Sequence, residues 1–426
     1  MDPLQSTRPL IVYLDFKSPY AYLAWQPTLD LGRKLGIEID WRPFVLDIPS
    51  YLGSAKLDDS GKVTETTRSA EQWSGVKAAY ADVRRYANLR GLTVRGTTKI
   101  WDTSLAAIGM LWAKHQGDAI LERYIDKVYE PFWKRELDVE DPAVVAAVLA
   151  EAGADLSGFD DYLRGDGARE NAELQTAAFD AGIFGVPSYI HEGELYFGRE
   201  HLPRLRWLLT GSEGPAPDIA NELPADADIA PTTVDCLEVC IDFHCPQSYL
   251  CLEPTLALAA EHNLPLTWYP RTSRPRRLDP VDDSRGARHR SFRNRYIDTV
   301  AERYAGHPVP PGGPASDSAI PATTLLWLQT NKPAEVDGFV GRCFDALWQQ
   351  QRSFHNIADM QTWLAELGID SEGLDTFHTE QGEAALAASQ AASSERGCWD
   401  TPAYFLGDEC FVDYQHLPFI RERLRR

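Results

Sequence analysis

The sequence predicts an α/β protein built from two similar domains in tandem. Three observations carry that expectation: a short frame that occurs twice, a second duplicated block, and a Pro- and Ala-rich stretch between the copies. The frame reads DFKSPYAYL from Asp15 to Leu23 and DFHCPQSYL from Asp242 to Leu250. Aligned without a gap, Asp15–Pro43 and Asp242–Pro270 agree at 11 of 29 positions, among them Pro19/Pro246, Tyr22/Tyr249, Pro27/Pro254 and Trp41/Trp268. GIFGVPSYIHEGELYFGREHLP (Gly182–Pro203) matches GCWDTPAYFLGDECFVDYQHLP (Gly397–Pro418). The blocks are offset by 227 and 215 residues, so whole globular units are repeated, not the short period of a solenoid.

Each half is expected to run strand, helix, strand, helical insertion, hairpin, helix. LIVYLDF and LEVCIDF are short apolar runs suited to buried strands. A helix follows Ser18-Pro19 to about Gly36, and another follows Cys245-Pro246 to about Asn263; Pro27 and Pro254 are expected to kink them. IEIDWRPF and LPLTWYPR read as the second strands. The stretch from about Ala70 to Leu174 is helical by period, with Asp141 as a cap and Pro142 at a first helical position. PSYIHEGELYF and PAYFLGDECFV read as hairpins turning at Glu192-Gly193 and Gly407-Asp408. Domains are therefore expected over 1–211 and 235–426, joined by an exposed linker over 212–234.

Composition sets the broad class. A length of 426 residues favours two cores, and 44% hydrophobic with 25% charged residues is that of a globular protein. A net charge of -21 speaks against nucleic acid as a partner, and no apolar run suggests a membrane span. No basic stretch followed by an apolar one opens the chain, so a cytoplasmic location is expected. All seven Cys lie after residue 235, an odd number without Cys-x-x-Cys or zinc-site spacing, which fits reduced thiols and no metal. Nine Arg between Arg271 and Arg295 are expected to pair with acidic surface; an anion pocket is the sharper reading.

The chemistry concentrates where the first strand meets its helix. Ser18 before Pro19 is a good helix cap on local grounds alone. Cys245 is not, and a thiol there meets the positive end of a helix dipole, which favours thiolate. His244 would add to this if protonated. Val186-Pro187 and Thr401-Pro402 are candidate cis peptides, whose preceding backbone can pair with a peptide-like ligand.

Taken together, the strand, the D-F-x-[S/C]-P-x-x-Y-L frame, the helical insertion and the late G-x-F-G-V-P resemble the thioredoxin-like DsbA family. The first half is most similar to its 2-hydroxychromene-2-carboxylate isomerases and kappa-class glutathione transferases. The resemblance covers both halves and implies two thioredoxin-like (DsbA-type) domains with glutathione as cosubstrate. By position it makes Ser18 the residue that holds the glutathione sulfur, with Pro19 and Tyr20 beside it. Pro187 becomes the cis-proline and Val186 the backbone partner of the cysteinyl part. Arg199-Glu200 falls where the family places the acid for the γ-glutamyl amine; Arg199 departs from the pattern, and His201 stands where the isomerases usually have Arg. Lys99, Trp101 and Asp102 are expected near a substrate pocket. In the second half the site would comprise His244, Cys245, Ser248, Thr401 and Pro402, without a second Cys and with Gln415 in place of the acid.

The resemblance implies a glutathione-dependent isomerase or transferase acting on a small aromatic or carboxylate substrate. Two alternatives stay open: a thiol–disulfide oxidoreductase acting through the monothiol Cys245, and a non-catalytic tandem binding module. The duplication suggests a pseudo-dimer within one chain, with a homodimer as a further possibility.

Overall fold

The computed structural model of the chain describes residues 2–58, 60–272 and 282–425. Two compact units emerge. Unit 1 comprises Met1–Asp228 with Pro280–Phe292, and unit 2 comprises Ile229–Asp279 with Arg293–Arg426.

Unit 1 opens with β1 (Leu10–Leu14), every residue of which is buried. Helix α1 (Pro19–Leu35) starts on the Ser18 cap and stops at Gly36, whose left-handed φ of 64° lets Ile37 N–H close on the Gly32 carbonyl. Strand β2 (Ile39–Pro43) returns parallel to β1, Leu10 opposite Ile39. The chain then makes α2 (Ile48–Leu52) and a small hairpin, β3 (Ala55–Leu57) with β4 (Val63–Thr66), which the sequence had not announced. The insertion is α3 (Ala70–Asn88), α4 (Ser104–His115), α5 (Asp118–Trp133), α6 (Pro142–Ala152), α7 (Phe159–Arg164) and α8 (Asp166–Asp180). Asp141 caps α6 as expected, accepting from Ala143 N–H at 2.8 Å. The hairpin β5 (Ser188–His191) and β6 (Glu194–Phe197) and helix α9 (Leu202–Leu209) follow. The sheet order is β2-β1-β5-β6, with β5 antiparallel to β1.

Unit 2 repeats this design. Strand β7 (Leu237–Ile241) lies between a parallel β8 (Leu266–Pro270) and an antiparallel β9 (Ala403–Leu406), with β10 (Glu409–Val412) outside. This is the two-domain thioredoxin-like α/β arrangement expected from the sequence. The cores repeat in detail: Tyr22 stacks on Trp133 with ring planes 5° apart, and Tyr249 on Trp348 with planes 4° apart. Thr28 meets the Tyr189 hydroxyl at 3.0 Å, and Thr255 meets that of Tyr404 at 2.7 Å.

Three expectations change. Helix α1 runs unbroken through Pro27, whereas the second-half helix divides at Cys251 into α10 (Pro246–Leu250) and α11 (Leu252–His262), three residues before Pro254. The missing N–H of Pro254 falls in the first turn of α11, where it costs no helical bond. The linker is not exposed throughout: Ile219 and Asn221 are buried, and Ala220 N–H donates to the Glu200 carbonyl at 3.0 Å. Within the basic run, Arg285 pairs with Asp47 at 3.2 Å and Arg288 with Asp180 at 2.7 Å, as expected of surface pairing. Arg274, Arg276 and Arg277 lie outside the described residues. Among the described residues no helix is long and apolar enough to cross a membrane.

Candidate functional site

In unit 1 the corner between β1 and α1 faces the loop before β5. Ser18 has an extended backbone (φ -91°, ψ 114°), Pro19 takes the first helical position, and the Ser18 Oγ accepts from Ala21 N–H at 3.2 Å. The same hydroxyl donates to the Val186 carbonyl at 3.3 Å, and Val186-Pro187 is cis. Sequence positions 168 residues apart thus meet at one oxygen.

The residue types just before Ser18 form a buried charge hub. Both Asp15 and Lys17 are buried, and Lys17 Nζ lies 3.4 Å from Asp15 Oδ2 and 3.3 Å from Thr103 Oγ. Asp15 also accepts from Thr103 Oγ–H at 2.6 Å and from Leu46 N–H at 2.7 Å. One carboxylate therefore ties the corner to the segment after β2 and to the start of α4. Sequence reasoning passed over Lys17 and Thr103, which lie 86 residues apart.

On the other side of the corner stands a mixed polar and aromatic wall. Burial and then the Asp82 carboxylate push the Tyr20 phenol up, opposed by the Arg199 guanidinium, with Glu200 adding to the rise. Arg199 lies over the Tyr86 ring at 4.1 Å; it is 5% exposed, and its Nη2 has no hydrogen-bond partner among the described residues. Burial and the Arg199 charge lower Arg90 to about 10. His201 is buried with its ring against Tyr196, so it belongs to the packing of this junction.

Lys99, Trp101 and Asp102 are each engaged with neighbouring side chains or backbone. Lys99 pairs with Glu140 and covers the Trp101 ring, while Asp102 accepts from Ser104 N–H at the start of α4. A small cavity in unit 1 is lined by Phe44, Leu46, Tyr51, Phe179, Phe184 and His289, with Arg285 at its edge. There the Tyr51 and His289 rings stack at 3.9 Å with planes 2° apart. Leu46 lines this cavity and donates its N–H to Asp15, which places the cavity beside the charge hub; burial and then Asp15 push the Tyr51 phenol up.

Unit 2 rebuilds the corner with a thiol. Cys245 has nearly the backbone of Ser18 (φ -88°, ψ 120°), Pro246 follows, and Thr401-Pro402 is cis. The Cys245 Sγ lies 3.1 Å from the Thr401 carbonyl and 3.3 Å from Gln247 Oε1, and the Ser248 N–H at the start of α10 pulls its pKa down. Ser248 turns away from the thiol and accepts from Asp242 N–H at 3.2 Å. The expected thiolate is not favoured here: burial, then Asp400 and Asp242, raise the thiol to about 12. Burial also lowers the His244 imidazole, so it stays neutral and cannot help. In unit 2 the acid lost at Gln415 leaves a turn of Tyr414–His416 in which Tyr414 and His416 are buried. Cys240, Cys251, Cys343 and Cys398 are buried; the Cys240 and Cys398 thiols bond each other, and the Cys251 and Cys398 sulfurs lie 3.2 and 3.3 Å from the Ser248 and Asp400 carbonyls.

With this geometry in hand, comparison with known proteins gives a consistent picture. The family model for the DSBA-like thioredoxin domain matches residues 9–210 and again 236–425. The 2-hydroxychromene-2-carboxylate isomerase of Sphingobium xenophagum is 28% identical over 206 residues, covering 48% of this chain and 98% of the relative. That of Pseudomonas putida is 27% identical over 193 residues, covering 45% and 88%. Among solved structures, a 2-hydroxychromene-2-carboxylate isomerase aligns at 23% identity with a TM-score of 0.38, covering 47% of this chain and 94% of its own. The cytosolic disulfide reductase DsbM from Pseudomonas aeruginosa with GSH aligns at 19% identity with a TM-score of 0.33, covering 44% and 93%.

Proposed function

The chain belongs to the DsbA-like thioredoxin family, whose domain it carries twice, and from that premise we propose that unit 1 is a glutathione-dependent isomerase or transferase. The observation that carries this reading is the Ser18 hydroxyl. It sits at the N-terminus of a 17-residue helix, where an anion is stabilised, and it touches the Val186 carbonyl on the strand-like loop where a peptide backbone pairs. The curated relatives that match about half of this chain are isomerases of one kind, which supports the same reading.

The residues present fit glutathione. Ser18 supplies an O–H that can turn from the Val186 carbonyl to donate to a sulfur at the corner, which frees that carbonyl, and the peptide groups of Val186 supply the pairing edge. Arg199, buried with a donor to spare, offers a charge for a carboxylate, and Glu200 one for an amine. When bound, glutathione supplies a thiolate able to add reversibly to an activated double bond of a small aromatic or carboxylate substrate. Ser18 and the first turn of α1 hold that negative charge, and the Tyr22, Tyr129 and Trp133 stack backs the corner rigidly.

Titration calorimetry with glutathione on the wild type and on Ser18→Ala tests the reading. Micromolar to millimolar binding that is weakened by the substitution supports it; a wild type that binds no glutathione ends it. Chemistry at Cys245 is the second reading, favoured by its contact with the Thr401 carbonyl beside a cis-proline. Its raised pKa argues that any such chemistry is slow near neutral pH.

A further inference from the structure

Two polar groups in unit 1 are buried, unpaired and opposite in kind, and both lie against the Tyr86 side chain. One is the Arg199 Nη2 donor described above. The other is the Oδ1 acceptor of Asn221, a residue 2% exposed. The Asn221 amide hydrogen-bonds the Tyr86 hydroxyl, which leaves Oδ1 as its unused end, while Arg199 covers the Tyr86 ring. Neither atom has a partner among the described residues. A buried polar atom left unpaired costs about 1–3 kcal/mol, so two such atoms beside one ring are the trace of a group that is to be bound.

Asn221 is also held in place on both sides. Ala220 N–H donates to the Glu200 carbonyl at 3.0 Å. The next residue, Glu222, takes a two-pronged bond from Arg206 at 2.6 and 2.7 Å. This part of the linker is therefore a fixed strap across the Arg199–His201 turn. Helix α1 packs against the Arg199–His201 turn and against α3, and its Tyr20, two residues after Ser18, feels Asp82, Arg199 and Glu200, which connects the strap to the Ser18 corner. The charges around the spot are the cations Arg85, Arg90 and Arg199 and the anions Asp30, Asp82, Glu200 and Glu222.

We infer that Asn221 completes a subsite for an α-amino-acid head group, with Arg199 taking the carboxylate and the Asn221 oxygen sharing the ammonium with the nearby acids. Such a group carries an acceptor and a donor together, as the two orphaned atoms require. The inference rests on the proposed use of glutathione, whose γ-glutamyl end bears this head group. It adds that the linker between the two domains sets the preference for that end. A single domain lacking the linker would lack the contact.

The experiment is calorimetry on the full chain with three ligands: glutathione, cysteinylglycine, which lacks the head group, and γ-glutamylglycine, which lacks the thiol. Asn221→Ala and the volume-conserving Asn221→Leu are compared with wild type, with thermal melts to check folding. Both variants are expected to bind glutathione and γ-glutamylglycine about tenfold more weakly, the size of one lost buried hydrogen bond to a charged group. Cysteinylglycine binding should not change. Unchanged glutathione binding in a folded variant overturns the inference, and so does equal weakening of cysteinylglycine, which marks a merely structural role. If the wild type binds γ-glutamylglycine but gains nothing from the thiol of glutathione, the subsite stands and the proposed function falls. If it binds neither, both fall.

Discussion

The Cys245 sulfur lies 3.1 Å from the carbonyl oxygen of Thr401, the relation that the Ser18 hydroxyl has with Val186 at 3.3 Å. The two corners are thus the same construction with different atoms. A hydroxyl at this point stays neutral and serves as a donor. A thiol could ionise, and its surroundings oppose that.

Alkylation of Cys245 followed by peptide-resolved mass spectrometry should therefore show little reaction at pH 7 and a steep rise only well above pH 9. Burial first, then Asp400 and Asp242, raise its pKa from 9.0 to about 12. A group with a raised folded pKa stabilises fully below its unfolded value, so this contribution should fade as pH climbs from 9.0 towards 12. An apparent pKa of 7 would refute the assignment.

Ser18→Ala should lower stability by about 1 kcal/mol through loss of the cap on Ala21 N–H, quite apart from its effect on glutathione. Chemical denaturation of the variant measures this. Ser18→Cys tests the same position differently, since a thiol is a weaker acceptor than a hydroxyl and should restore only part of the cap.

Lys17→Met should cost about 3 kcal/mol, because it leaves the Asp15 carboxylate buried with its charge uncompensated. The double variant with Asp15→Asn should recover part of that loss, since neither charge then remains. A double-mutant cycle in urea reads the coupling, and additive effects would contradict the hub.

Glu238→Gln should flatten the acid limb of the stability profile. The Arg396 guanidinium, bound through both nitrogens at 2.8 Å, holds the Glu238 carboxyl below its usual 4.5, helped by the Tyr269 hydroxyl. A lowered folded pKa gives stability that is present above 4.5 and is lost as the pH falls through the depressed value. Melting temperatures of wild type and variant should therefore converge at the lowest pH.

Much of this was legible in the sequence because it is local or repeated. The Ser18-Pro19 start, the Gly36 stop, the Asp141 cap and the two late prolines are each set by neighbours within a few residues. The succession of elements in each half followed from finding the same blocks twice. What the sequence did not disclose depends on distant meetings. Thr103 reaches Asp15 across 88 positions, and no periodicity marks that bond. Asn221 sits in a stretch whose composition reads as an exposed connector, yet it is 2% exposed. The ionisation of Cys245 was misjudged because the helix terminus is visible in the sequence, whereas Asp400 arrives from the far end of the same unit.

Carrying both sheets on one chain, each in the same strand order, has a consequence for how the two corners can change. In a symmetric pair of identical subunits every substitution appears twice, so a corner cannot be altered without altering its twin. Here one gene writes the two corners separately. The hydroxyl at residue 18 and the thiol at residue 245 can each be selected for a different task, and a loss at one leaves the other intact.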